Sequence, residues 1–150
     1  MSNPVQGILQ TADDFFAKGE FREASRKYLE VLRIQSDHPV ALHHLGLCCY
    51  RTGSHEQARN LIFQSVSIQQ NNAVAHDHLG VVLVALNDFI HAEASFKSAI
   101  AIQPSYVDAY HNLGALLIKQ KHYSRALAIL ESSPSTPKGA LSRHKLLGQT

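Results

Sequence analysis

Apolar residues recur along this chain with the period of a helix, not the alternation of a strand. Leu42, Leu45, Gly46 and Cys49 fall at i, i+3, i+4 and i+7, one stripe down one face. After a turn at Gly53-Ser54, Ala58, Ile62 and Val66 mark a second stripe. The pattern predicts helix, turn, helix. Start signals point the same way: Asn3 before Pro4 reads as a cap and first helical residue, and Ser54 with Gln57 and Ser105 with Asp108 read as capping boxes. Pro39 and Pro104 punctuate the joints.

The same motif returns every 34 residues. Gly46, Gly80 and Gly114 share that spacing, each preceded by a leucine (Leu45, Leu79, Leu113). Ala24, Ala58, Ala92 and Ala126 form a second column, Ile34, Ile68 and Ile102 a third, and Tyr28, Ile62, Phe96 and Leu130 a fourth of large side chains. The small columns have a steric reading. Gly46 on the first helix and Ala58 on the second let two backbones approach while larger neighbours interlock around them. Ala99, with Ser65 at the same place one unit earlier, is expected to be small because it faces the next unit.

Leu79-Gly80, Phe89, Ala92, Phe96, Ala99 and Pro104, at these spacings, resemble the tetratricopeptide repeat. The resemblance implies an all-α fold, an α-solenoid of helix–turn–helix units. About three and a half repeats fit within residues 1–131, as units at 5–38, 39–72, 73–106 and 107–131. Thr11-Ala12 stands in unit one where the others have Leu-Gly, a change that a terminal unit with one exposed side tolerates. In the last unit Ser132, Ser133, Pro134, Ser135, Thr136 and Pro137 replace the closing turns. Pro134 removes a helical hydrogen bond and clashes with the preceding turn, so the last helix is expected to stop near Glu131. The remainder, within 132–150, has Leu141, Leu146 and Leu147 on one side of a stretch from Ala140 to Leu147. A short capping helix and a frayed tail both fit it, with partial order as the expectation.

Composition narrows the function. Hydrophobic residues make up 45% and charged residues 17% of 150, the balance of a folded domain. A net charge of +2 with both signs mixed throughout argues against a nucleic-acid binder, which concentrates Lys and Arg on one face. The apolar stretch Leu79–Leu86 is too short to span a bilayer, and no basic stretch with an apolar run marks a secretory signal. Cys48 and Cys49 are adjacent and cannot staple distant segments, which suits a reducing, cytoplasmic setting.

In proteins of the resembled family, ligands lie on the inner wall formed by each unit's first helix. Carried onto this chain, the two positions before each Leu-Gly pair are Leu9-Gln10, His43-His44, Asp77-His78 and His111-Asn112. Gln10, His44, His78 and Asn112 form a polar column at the repeat spacing. Each both donates and accepts when the imidazole is neutral, as a peptide backbone requires. The column resembles the asparagine ladder of O-linked N-acetylglucosamine transferases, although only Asn112 matches that residue type. Polar groups at this position also face solvent or bond a neighbouring helix in the family, and both readings stay open. Beside the column, Leu47, Tyr50, Arg51, Val81, Val84, Ala115, Ile118 and Lys119 make an apolar strip edged with basic side chains. Such a strip favours a partner with apolar anchors and some acidic character.

The expectation is therefore a protein-interaction scaffold or adaptor holding a protein, peptide or helix, with no cofactor, nucleic acid or membrane partner. Two alternatives stay open: a substrate-recruiting relative of a glycosyltransferase or sulfotransferase, and a homo-oligomeric structural protein. A zinc site is the tempting rival, since the chain has ten His, with His44 and Cys48 at i, i+4 and His76 and His78 flanking Asp77. These do not converge as four tetrahedral ligands. Cys49 falls in an apolar column with Phe15, Leu83 and Leu117, and His76 in one with Leu42 and Tyr110. The histidines then act as helix-compatible polar residues whose charging below about pH 6.5 changes affinity. Without a phosphate-cradling loop, a nucleophile elbow or a cysteine with a positioned base, catalysis is not expected.

Overall fold

The computed structural model describes residues 3–136. Among these, eight α-helices follow one another: α1 (Pro4–Ala17), α2 (Phe21–Ile34), α3 (Pro39–Arg51), α4 (His55–Ile68), α5 (Ala73–Ala85), α6 (Phe89–Ile102), α7 (Val107–Lys119) and α8 (Tyr123–Ser132). No strand occurs among the described residues. The chain divides into two compact units, Met1–Asn71 and Asn72–Thr150. In the first, α1 packs on α2, α3 on α4, and α2 also against α3. In the second, α5 packs on α6, α7 on α8, and both α5 and α6 touch α7.

Every helix pair closes with the same turn. The residue after the first helix's cap adopts the left-handed region: Gly19 at φ 76°, Gly53 at 91°, Asn87 at 62° and Lys121 at 65°. The next amide then reaches back to the helix, Glu20 to Phe15, Ser54 to Cys49, Asp88 to Leu83 and His122 to Leu117, at 2.8–2.9 Å. Together with the bonds from Gly19 to Phe16, Gly53 to Tyr50, Asn87 to Val84 and Lys121 to Ile118, these make four Schellman motifs. Glycine and asparagine suit that backbone; lysine does not.

Inside each pair the steric argument holds. A Cβ added to Gly46 would lie 2.5 Å from Ile62 Cγ1 and 3.2 Å from the Ala58 carbonyl oxygen. One added to Gly114 would lie 2.7 Å from Leu130, and one at Gly80 would enter the Phe96 ring. Ala12, at that register in the first pair, is fully buried, as is Tyr28 opposite it in the repeat. Ile62, Phe96, Leu113 and Leu117 are among the other large, fully buried side chains, each contributing about 1.5–3 kcal/mol through burial.

Several expectations need correction. Ser65 does not merely make room: its hydroxyl donates to the Pro39 carbonyl at 2.7 Å, within its own pair. Ala99 does face the next unit, clustering with Ala109 there and with Ala73 of its own pair. Ser54 caps α4 without a side-chain hydrogen bond, and Tyr106 rather than Ser105 stands at the start of α7, so neither capping box forms. The isoleucine column, whose burial the spacing left open, is exposed, at 57% for Ile34 and 49% for Ile68. Asn3 does cap α1, accepting from the Val5 amide. The last helix ends at Ser132, and Thr136 then donates its hydroxyl to the Leu130 carbonyl at 2.9 Å. The Ala140–Leu147 segment lies outside the described residues.

Candidate functional site

In the first unit the first-helix face carries Gln10 on α1 and His44, Leu47, Tyr50 and Arg51 on α3. Gln10 is exposed and donates its amide to Asp14 Oδ1 at 3.1 Å. His44 is half-buried, with Nδ1 3.3 Å from Asp13 Oδ1 and equally far from the Tyr28 hydroxyl. Tyr28 donates to the same Asp13 oxygen at 2.5 Å. Burial first, and then the neighbouring Asp13 carboxylate, push the Tyr28 hydroxyl far above its ordinary range, so it keeps its proton. Phe16 stacks on the His44 ring, and Tyr28 meets it edge-on. Three helices of two successive pairs thus meet at one polar cluster.

The second unit contains a counterpart. Asp77 on α5 is buried and accepts from Asn112 Nδ2 on α7, 2.9 Å from one oxygen and 3.2 Å from the other. The Tyr106 hydroxyl donates to it at 3.3 Å. Burial pushes the Asp77 carboxyl up, while these two hydrogen bonds hold it back. The Tyr106 hydroxyl is pushed up by its own burial and by Asp77. Both clusters share one plan: a carboxylate from an earlier pair's first helix, a tyrosine hydroxyl, and the ladder residue of the next pair.

His43 and Asp77 are corrections to the expected contact set, being only 4% and 2% exposed. They face the packed interior and offer no surface of their own. His44, Leu47, Tyr50, His78, Val81 and Asn112 are half-buried, whereas Arg51, His111, Ala115 and Lys119 are exposed. The two basic residues cover aromatic rings: Arg51 lies 5.5 Å from the Phe21 centroid and Lys119 5.3 Å from that of Phe89. Sequence reasoning missed Asp13, Asp14 and Tyr106. A signal existed for Asp13, since its repeat equivalents are Leu47, Val81 and Ala115, and Tyr28 is the one hydroxyl in a column of hydrocarbon side chains.

Among the described residues no three His, Cys, Asp or Glu side chains gather to hold a metal ion. Cys48, not Cys49, is the wholly buried thiol; Cys49 is half-buried, its sulfur 4.0 Å from Gln57 Oε1. Burial pushes both thiols up and disfavours the thiolate a nucleophile needs. No helix among the described residues is long and apolar enough to cross a membrane.

An all-α array of helix pairs, each closed by the same turn and locked by a glycine or alanine against a large side chain, defines a helical repeat protein. Tetratricopeptide repeat models match residues 9–73 and 83–147, and the chain belongs to the tetratricopeptide repeat family. No curated protein matches the sequence. Among solved structures, that of MamA superposes with a TM-score of 0.81 at 16% identity, covering 99% of this chain and 82% of MamA. YrrB, described as a tetratricopeptide protein with an unusual peptide-binding site, gives 0.78 at 18%, covering 96% and 75%. These two likenesses speak to the fold. An O-GlcNAc transferase mutant from Thermobaculum terrenum gives 0.74 at 28%, covering 78% of this chain and 23% of the transferase.

Proposed function

We propose that the chain is a scaffold or adaptor that holds a peptide or helix on the faces formed by its first helices. The fold is that of a protein-interaction module. The observation that carries the reading is the ladder register: Gln10 and His44 in one unit, and His78 and Asn112 in the other, recur on first-helix faces beside Leu47, Tyr50, Val81 and Ala115. None of these four is fully buried. A tetratricopeptide protein of the same fold is described as having a peptide-binding site. Apolar neighbours supply anchors, and the ladder supplies partners for backbone groups that lose water. A reducing, cytoplasmic setting is the one in which the two free thiols persist.

The test uses a displayed library of random linear peptides panned on the full chain. Selected peptides are expected to lose about tenfold or more in affinity for a His44→Ala, His78→Ala, Asn112→Ala triple variant. The same loss is expected for Ala115→Trp, a change at an exposed position of that face. Thermal melts of both variants separate a lost contact from a lost fold. Peptides that bind both folded variants as tightly as the parent contradict the reading.

A second reading draws on the 28% identity with the transferase: a segment that holds substrate for a transferase. This chain spans only 23% of that enzyme, and sugar transfer by the chain alone is expected to be absent.

A further inference from the structure

We infer that the carboxylates beside Gln10, His44 and Asn112 polarise these ladder residues, so that each presents a hydrogen-bond acceptor outward and takes a backbone N–H group of an extended peptide. This rests on the reading of the ladder as a peptide face and adds the direction of its hydrogen bonds.

A carboxylate only accepts. The Asn112 amide therefore must turn its NH2 toward Asp77, whose two oxygens lie 2.9 and 3.2 Å from Nδ2. Its carbonyl oxygen then points the other way. That oxygen has no hydrogen-bond partner among the described residues, and no buried side-chain oxygen or nitrogen there lacks one, so it is open to solvent. Gln10 is committed in the same sense, its Nε2 donating to Asp14 and leaving Oε1 outward.

His44 reaches the same end through its tautomer. Both groups beside Nδ1 are acceptors toward it: Asp13 is a carboxylate, and the Tyr28 hydroxyl already directs its hydrogen to Asp13 in a hydrogen bond. The neutral ring therefore carries its hydrogen on Nδ1 and leaves a lone pair on Nε2. Nε2 has no partner among the described residues and is open to solvent by the same reasoning. Within each unit a buried or half-buried carboxylate lies behind the outward acceptor, repelling a ligand carbonyl and attracting an N–H. Asp13 and Asp77 are thus positioning residues, acting through His44 and Asn112.

The polarity is tested by NMR of the full chain at mildly alkaline pH, where imidazoles are neutral. The probes are N-methylacetamide, which has an N–H, and N,N-dimethylacetamide, which keeps the carbonyl but lacks it. Shifts at His44 Nε2 and in the Asn112 side chain are expected to exceed those elsewhere with the first probe and to vanish with the second. Long-range nitrogen–proton spectra are expected to show His44 protonated on Nδ1, and Asp13→Ala to redistribute that proton toward Nε2 in a chain that still folds. Equal shifts from both probes, or an Nε2-protonated His44 in the parent, overturn the polarity and leave the peptide reading standing. No shift from either probe, with the Nδ1 tautomer observed, overturns both.

Discussion

Asn112 gives its side-chain amide to Asp77, with Nδ2 2.9 Å from the nearer carboxylate oxygen. Among the described residues no cation joins the pair; the second donor is the neutral hydroxyl of Tyr106. A buried carboxylate served by neutral dipoles keeps part of its desolvation cost, and that sets a pH dependence of uncommon sign.

The Asp77 carboxyl is pushed above its ordinary value of 3.8 by burial. Folding therefore favours its protonated form. The associated stabilisation is fully present below 3.8 and is lost as pH rises through the raised folded value. Glu93 behaves oppositely: burial pushes it up, but Arg125 and Lys97 more than offset this and hold it down, so its contribution is lost as pH falls. Melting curves of the parent and Asp77→Asn across a pH series isolate the Asp77 part. The parent is expected to gain on the variant as pH falls from neutral. Parallel profiles would contradict this.

Gly80→Ala should destabilise by about 1–3 kcal/mol, because the new methyl meets the Phe96 ring. Gly7→Ala, with nothing within 4 Å of its added carbon, should instead stabilise by up to about 1 kcal/mol through helix propensity. Urea unfolding of the two variants measures the contrast. Equal effects would mean that the helix pairs are not locked at this column.

Ala92→Phe overfills a fully buried site on the opposite helix and should cost about 1–3 kcal/mol or more. An unchanged thermal transition would refute the packing scheme.

Lys121→Gly should stabilise by about 1 kcal/mol. Lys121 adopts φ 65° at the register where Gly19 and Gly53 stand, and a side chain there costs about 1–2 kcal/mol. Chemical denaturation reads it directly, and a loss of stability would contradict the assignment of strain to this turn.

Much of the fold was legible because steric columns repeat: the close approach of Gly46 to Ala58, with larger side chains around them, follows from the 34-residue spacing, and the structure adds that Ile62 and Phe96 are the side chains met at Gly46 and Gly80. The Schellman turns were half-legible, since Gly19 and Gly53 announce them while Asn87 and Lys121 disguise the same backbone. The candidate site was read less fully. Spacing placed Gln10, His44, His78 and Asn112 on one register but could not show which groups their donors had already taken. Asp13 and Tyr106 lie away from the ladder positions in sequence, and only the packing of successive pairs brings them to His44 and Asp77. Burial of His43 follows from which way α3 is turned, and a helix with apolar residues on most sides, such as Val40, Leu42, Leu45, Leu47 and Cys48, leaves that rotation ambiguous.

The most direct measurement is a structure of the full chain with one of the panned peptides bound. The peptide is expected on a first-helix face, with backbone N–H groups directed at His44 Nε2 or Asn112 Oδ1. A peptide seated on the second helices, against Phe63 or Ile90, would contradict both the binding face and the role given to the ladder.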